Sequence, residues 1–328
     1  GHGVSPAYAV RIFKAYGQAA IGTVRENPYR LARDIRGIGF KTADKIAREL
    51  GIPADSPLRA AAGILHTLNE LTDDGHAYVP EAELLRAAEA TLEIPAALLP
   101  DALAALAADK AVVLEPFPEG RAIYLTSLHV SETQLARRVA DLLRAPRAVP
   151  AIDMAQALPW VEQQTGLALT EEQRRAVRAA CEEKLLIITG GPGTGKTTIL
   201  KAVIRLLEAK RLRMHLASPT GRAAKRLAEV AGHEASTLHR LLEWNPREGG
   251  FQQNARNPLK TDVMIVDESS MIDLLLAHHL LQAIPLTATL LLVGDADQLP
   301  SVGPGSVLRD LLAVPTVPAV RLTTIFRQ

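Results

Sequence analysis

Gly190-Gly191-Pro192-Gly193-Thr194-Gly195-Lys196-Thr197 decides how the chain is read. It fits G-x-x-x-x-G-K-[ST] at every fixed position. The run before it, Leu185 to Thr189, is apolar and strand-like, and Lys196 to Ala209 reads as a helix. Glycines allow the backbone to curl so that successive N–H groups point inward at phosphate oxygens. A helix N-terminus adds a favourable dipole for anions. Lys196 is placed to reach β- and γ-phosphates, and the Thr197 hydroxyl to sit on Mg²⁺. The expected nucleotide-binding residues are therefore Gly191, Pro192, Gly193, Thr194, Gly195, Lys196, Thr197 and Thr198. The competing reading is a fortuitous glycine-rich turn, which the strand–loop–helix context disfavours.

Outward from the loop, apolar strands alternate with amphipathic helices. Met214 to Ser218, Val263 to Asp267 and Thr289 to Val293 are further strands, with helices over Gly221 to Val230 and Ile272 to Ala283. That order predicts a parallel sheet wrapped by helices, an α/β domain over 169–328. Val263-Met264-Ile265-Val266-Asp267-Glu268 is a buried strand ending in two acids. A carboxylate at the C-terminal end of such a strand faces the crevice where ligands bind. Asp267 suits Mg²⁺ and Glu268 suits the general base for an attacking water. The alternative, a helix N-cap pair, is the weaker reading after a phosphate loop.

Composition bounds the rest. The 328 residues carry 37 Lys/Arg and 36 Asp/Glu, a formal charge of +1, which names no partner by itself. Hydrophobic residues make up 48% and aromatics only 4%, so the cores must be largely aliphatic. No apolar run approaches the roughly 18 residues of a membrane span, and no secretory pattern opens the chain. A lone cysteine, Cys181, excludes an internal disulfide and a Cys-rich zinc site. A soluble cytoplasmic protein, monomeric and without membrane attachment, is expected.

The charge is unevenly spread. Residues 1–60 hold 10 basic against 5 acidic side chains, 61–127 hold 3 against 11, and 128–328 hold 24 against 20. The basic opening suggests a polyanion partner. It also contains a duplication: Gly1-His2-Gly3-Val4-Ser5-Pro6-Ala7 and Gly37-Ile38-Gly39-Phe40-Lys41-Thr42-Ala43 are both G-x-G-x-x-x-A leading into an amphipathic helix. Residues 61–127 read as three helices and a hairpin across Pro116 to Gly120, a winged-helix outline whose acidity favours scaffolding. Residues 128–168 read as a helix followed by a proline-containing linker. Trp244 to Lys260 interrupts the α/β alternation, and Gly249-Gly250 is a hairpin turn signal.

Further motifs follow in fixed order. Gly294-Asp295-Ala296-Asp297-Gln298-Leu299-Pro300 resembles motif III of superfamily 1 helicases, Ser218-Pro219-Thr220-Gly221-Arg222 their motif Ia, and Thr237-Leu238-His239-Arg240 the next DNA-contacting motif. Leu169-Thr170-Glu171-Glu172-Gln173 is similar to their adenine-reading Q motif, and Thr324-Ile325-Phe326-Arg327-Gln328 to motif IV. The wording, including Gly37 to Asp44, resembles RecD-like helicases of the stand-alone bacterial type. The resemblance covers nearly the whole chain and implies a RecA-like P-loop domain preceded by a helix-hairpin-helix region (1–60) and a winged-helix-like segment.

The resemblance also assigns roles. Gln173 would read the adenine edge. Lys196, Glu268, Gln298 and Arg327 would be catalytic, with Gln298 sensing the γ-phosphate and Arg327 neutralising the transferring phosphoryl group. Thr197 and Asp267 would hold Mg²⁺. Thr220, Arg222, Thr237 and His239 would bind single-stranded DNA. Lys41 and Lys45, beside the second Gly-x-Gly turn, would meet duplex phosphates, or else that turn is domain glue. The 244–260 insertion would be a strand-separating pin or an idle surface hairpin. The implied activity is an ATP-dependent helicase moving 5′ to 3′ and acting at single-strand/duplex junctions. The alternative is a nucleotide-switched DNA-binding adaptor. Only one RecA-like domain is present and the motifs stop at motif IV, so a fragment without ATPase of its own is expected.

Overall fold

The computed structural model describes residues 6–118 and 120–326. The chain divides into two compact units, Gly1–His129 and Val130–Gln328.

In the first unit, Gly and Pro break the chain into short helices: α1 (Pro6–Tyr16), α2 (Ala20–Glu26), α3 (Arg30–Asp34) and α4 (Phe40–Glu49). The longer α5 (Pro57–Asp73) follows, its start fixed by Ser56, whose hydroxyl accepts from Leu58 N–H, and by proline in the first turn. Then come β1 (Val79–Pro80), α6 (Glu81–Leu92), α7 (Leu99–Ala108), β2 (Val112–Phe117) and β3 (Gly120–Leu125). The strands form one antiparallel sheet in the order β1-β3-β2. A single core joins Tyr29, Phe40, Ala43 and Ala47 to Ile64, Leu84, Leu103 and Ile123. The short helices and the helix–hairpin stretch after them therefore share their buried surface.

That joint contains a buried ion pair. The Asp44 carboxylate accepts from Tyr29 Oη at 2.8 Å and from Arg59 Nε at 2.9 Å. Arg59 also donates to the carbonyls of Ala54 (3.0 Å) and Leu92 (2.9 Å). Burial pushes the Asp44 carboxyl up, but the Arg59 and Tyr29 hydrogen bonds and the charges of Arg59 and Arg48 outweigh it and hold the group below its ordinary 3.8. Such pairs are costly to break from one side, because the remaining charge stays buried.

The boundary between the units falls within α8 (Thr126–Arg144). The second unit continues with α9 (Met154–Thr165), α10 (Glu171–Glu182), β4 (Leu185–Gly190), α11 (Lys196–Ala209), β5 (Met214–Ser218), α12 (Gly221–Ala231), β6 (Ala235–Thr237) and α13 (Leu238–Leu241). After a small hairpin of β7 (Trp244–Asn245) and β8 (Gly250–Phe251) come β9 (Val263–Val266), α14 (Leu274–Ala283), β10 (Thr289–Gly294), α15 (Val307–Leu312) and β11 (Ala319–Leu322). Six strands form one parallel sheet, ordered β11-β4-β10-β9-β5-β6. The α/β parallel architecture expected from the sequence is the one observed.

The residues after the first proline of the expected linker do more than connect. Val149, Met154, Leu158 and Val161 enter the same core as Leu186, Ile199 and Val203. Lys184 Nζ donates to Pro146 O at 2.8 Å and Arg147 to Cys181 O at 3.0 Å, which pins the segment to the sheet domain. No helix among the described residues is long and apolar enough to cross a membrane.

Candidate functional site

The C-terminal ends of β4, β9 and β10 open onto one cleft of about 780 Å³. Its lining includes Gln173, Gly191, Pro192, Gly193, Thr194, Gly195, Lys196, Thr197, Thr198, Asp267, Glu268 and Gln298. Every nucleotide, metal and catalytic candidate from the sequence lies there except Arg327, which falls outside the described residues.

The loop is held by its own residues. Gly193 and Gly195 sit at φ +78° and +84°, where side chains are disfavoured, so glycine is what the turn requires. Thr194 is 2% exposed and its hydroxyl donates to Gly191 O at 2.8 Å. Lys196 Nζ donates to the carbonyls of Gly190 and Gly191, the latter at 3.0 Å. Gln173 forms a capping box at the start of α10. Its N–H donates to Thr170 Oγ1 at 3.3 Å, and its Oε1 accepts from Thr170 N–H at 3.1 Å. The amide nitrogen is thereby directed at Gly195, where a Cβ would collide with it.

The acid pair is shaped by a kink. Glu268 takes φ +53°, a costly left-handed value for a residue with a side chain. Its N–H donates to Asp267 Oδ1 at 2.9 Å, and Ser269 Oγ donates to Val293 O at 2.8 Å, tying the turn to β10. Gly294 completes the fit, since a Cβ there would meet Ser269 Oγ at 2.8 Å. Burial pushes the Asp267 carboxyl above its ordinary 3.8; the Glu268 charge adds to this, while Glu268 N–H, Lys196 and Arg226 oppose it. Thr189 Oγ1 accepts from Ala296 N–H at 3.1 Å, which ties the phosphate-loop strand to the loop bearing Gln298.

Three contributors were given no role by the sequence reading, although two of them, Phe326 and Glu172, lie in motifs quoted above. Phe326 lines the cleft, and its N–H donates to Gly193 O at 2.9 Å. Glu172 holds that segment, its carboxylate accepting from Thr323 N–H and Oγ1 at 3.0 Å each and from Thr324 N–H at 3.3 Å. Arg226, on α12, also faces the cleft. An arginine on an amphipathic helix reads as solvated, and only the packing of α12 reveals its address.

The residues expected to meet single-stranded DNA lie outside this cleft. Ser218 and Thr237 pair across β5 and β6, which puts the start of α12 beside that of α13. Thr220 Oγ1 accepts from Ala223 N–H at 3.3 Å and Thr237 Oγ1 from Arg240 N–H at 3.2 Å, so both hydroxyls cap helices and keep their own protons to donate. Arg222 and His239 are exposed. The His239 ring lies 5.6 Å from that of Phe251, whose ring also meets Trp244 and His279 at 4.9 Å each. The hairpin is thus anchored on the domain by an aromatic cluster, with Trp244 45% exposed. In the first unit, Lys41 and Lys45 are exposed one turn apart on α4, just after the Gly37–Gly39 turn. Residues 1–5, most of the first Gly-x-Gly copy, lie outside the described residues.

Fold and cleft together define a RecA-like P-loop nucleoside-triphosphatase domain. Two family models match the chain: "AAA domain" over residues 173–304 and "ATP-dependent RecD2 DNA helicase HHH domain" over residues 1–78. The chain is 36% identical over 344 residues to the ATP-dependent RecD2 DNA helicase of Deinococcus radiodurans, covering 100% of this chain and 46% of that protein. It is 38% identical over 217 residues to the RecBCD enzyme subunit RecD of Mycobacterium tuberculosis, covering 59% of this chain and 36% of that one. It is 39% identical over 148 residues to the ATP-dependent DNA helicase dda of Enterobacteria phage T4, covering 42% and 34%. The chain belongs to the RecD-like family of superfamily 1 helicases. It spans less than half the length of each of these three relatives.

Proposed function

We propose that the protein is an ATP-dependent DNA helicase that moves 5′ to 3′ on single-stranded DNA and opens duplex at the junction. The observation that carries this is the convergence of Lys196, Asp267, Glu268 and Gln298 from three strand ends on one phosphate loop.

The site fits Mg²⁺ with ATP. Asp267 is a half-buried carboxylate with a single N–H partner, and Thr197, lining the same cleft, supplies a second hard oxygen donor. Among the described residues no group of three or more His, Cys, Asp or Glu could hold a metal alone. That suits Mg²⁺, which takes one or two protein oxygens and completes its shell with phosphates and water. When bound, the ion would neutralise charge on the terminal phosphates. Loop N–H groups would bind the phosphate oxygens. Lys196 would exchange its two loop carbonyls for the β- and γ-phosphates. Glu268 would take a proton from the attacking water, and Gln298 would sense the terminal phosphate. Gln173 would read adenine with the amide hydrogens its capping role leaves free. Arg327 would add positive charge at the phosphoryl group.

Thr220, Arg222, Thr237 and His239 would hold the single strand, through phosphate contacts and base stacking. The 244–260 hairpin would part the duplex. Lys41 and Lys45 would contact duplex phosphates. The test is strand displacement by the full-length protein on duplexes with 5′ or 3′ tails. A 5′-tail requirement, lost in Lys196→Ala while single-strand affinity persists, is expected. A Lys196→Ala protein that still unwinds, or whose defect is in DNA affinity instead, would favour a nucleotide-switched adaptor.

A further inference from the structure

We infer that Arg226 is a terminal-phosphate ligand of the bound nucleotide, a second cation facing Lys196 and carried by the helix that begins at the strand-contacting Thr220. The inference deepens the nucleotide reading of the cleft and rests on it.

The argument begins with α12. Its cleft-lining residues are Ala223, Arg226, Leu227 and Val230, spaced i, i+3, i+4 and i+7. One stripe of this helix therefore forms a wall of the nucleotide cleft. Leu227 and Val230 are apolar, which leaves Arg226 as the charged member of the stripe. Among the described residues Arg226 makes no hydrogen bond or ion pair. Arg213, Arg174 and Arg205 are held by Asp262, Glu162 and Glu208, whereas Arg226, like exposed Arg222 and Arg240, is free to meet a ligand, and of these three it alone lines the cleft. A guanidinium with five unspent donors in a cleft built for phosphate is matched to a phosphoryl oxygen pair.

Position along the cleft selects which phosphate. Asp267 marks the metal and terminal-phosphate end, whereas Gln173 marks the end expected to take the base. β5, which leads into α12, pairs with β9, and Asp267 N–H donates to Ala217 O at 2.9 Å, so α12 sets out beside the acid pair, across the cleft from α11. Arg226 is therefore at the terminal-phosphate end, on the opposite helix from Lys196. Thr220 caps the same helix, with Arg222 one turn before Arg226. A rigid eleven-residue helix would thus carry strand contacts on its first turn and a phosphate contact on its second.

The experiment compares the full chain with Arg226→Ala and Lys225→Ala. Lys225 is an exposed neighbour on α12 outside the cleft lining, so it matches the charge change without the contact. Equilibrium affinities are measured with Mg²⁺ for ADP and for a non-hydrolysable ATP analogue, each with a fluorescent ribose label. Loss of a charge-assisted contact predicts a weakening of about ten- to a hundredfold for the triphosphate in Arg226→Ala. The diphosphate should change by no more than about twofold, as should both nucleotides in Lys225→Ala. Equal losses for both nucleotides in Arg226→Ala, no loss for either, or a matching loss in Lys225→Ala would overturn the inference. Failure of the unsubstituted protein to bind either nucleotide would instead overturn the reading of the cleft itself, and this inference with it.

Discussion

Gly195→Ala should weaken nucleotide binding for two separable reasons. The first is backbone strain. Gly195 holds φ +84°, and an L side chain in the left-handed region costs about 1–2 kcal/mol. The second is collision with Gln173, whose amide nitrogen occupies the space a Cβ needs. Gln173 is 4% exposed and cannot retreat without giving up the hydrogen bond its Oε1 accepts from Thr170 N–H. Losing such a cap costs about 1 kcal/mol. Together the loop conformation is disfavoured by about 2–3 kcal/mol, so it relaxes away and binding must draw it back. The apparent Kd for a fluorescent, non-hydrolysable ATP analogue should rise about 30- to 150-fold. In a Gln173→Ala background the collision is gone and the cap already lost. There the same substitution should cost only the strain, about 5- to 30-fold. A double-mutant cycle titrating all four proteins reads the difference as a coupling of about 1 kcal/mol. Effects that add to within about 0.3–0.5 kcal/mol would refute the claim that Gln173 braces the loop.

Other substitutions test other parts of the molecule. Asp267→Asn should leave some nucleotide binding but abolish its dependence on Mg²⁺, checked by titration with and without chelator; a preserved Mg²⁺ dependence would place the ion elsewhere. Glu268→Gln should bind the triphosphate normally yet lose turnover by about two to four orders of magnitude in a phosphate-release assay of the full-length protein, the usual weight of a general base. Arg59→Met strands the Asp44 carboxylate in the first core and should cost about 3–5 kcal/mol by denaturant titration at neutral pH. Because Asp44 is held below 3.8 when folded, its contribution is complete above that value and fades as pH falls through the lower folded value. The deficit of Arg59→Met should accordingly shrink at acid pH, and a pH-independent deficit would count against the ion pair. Lys41→Ala with Lys45→Ala should reduce the salt dependence of duplex binding, while an unchanged slope would make the Gly37–Gly39 turn a packing device.

The central sheet was legible because β4, β9 and β10 are buried on both faces, so each appears as an unbroken apolar run. The edges were not. β6 is three half-buried residues, and β11 alternates exposed and buried positions between prolines and polar residues. Helix α9 was hidden by the linker signal of Pro146 and Pro150 before it, and it carries Pro159 inside. Pro159 is tolerated while Met154, Leu158 and Val161 bury the other face of the helix in the sheet domain's core, so packing overrides the local signal. The site followed the same rule. Residues whose chemistry depends on neighbours in sequence, Gly191 to Thr197 and Asp267-Glu268, could be read directly. Arg226 and Phe326 reach the cleft, and Glu172 holds the segment before Phe326, only through tertiary placement; the motifs that contain Glu172 and Phe326 do not reveal those contacts.

That placement makes the cleft responsive as a whole. Gly195 is braced by Gln173, Gly193 by Phe326, and the Gln298 loop by Thr189, while Ser269 ties the Glu268 turn to β10. The first three link the phosphate loop or its strand to α10, to the segment after β11 and to the Gln298 loop; the fourth joins the end of β9 to β10. A ligand that moves the loop must therefore move these elements or break short hydrogen bonds, and a site with linked alternatives shifts between discrete arrangements. Thr220 and Thr237, the residues proposed to hold the DNA strand, cap α12 and α13, and α12 runs from Thr220 to the cleft wall. On the proposed reading, any coupling that α12 carries between nucleotide and DNA is equal in both directions, because linkage between two binding free energies is reciprocal. The proposed motor would need that reciprocity, and α12, which joins Thr220 to the cleft wall within eleven residues, is the element on which it could be built.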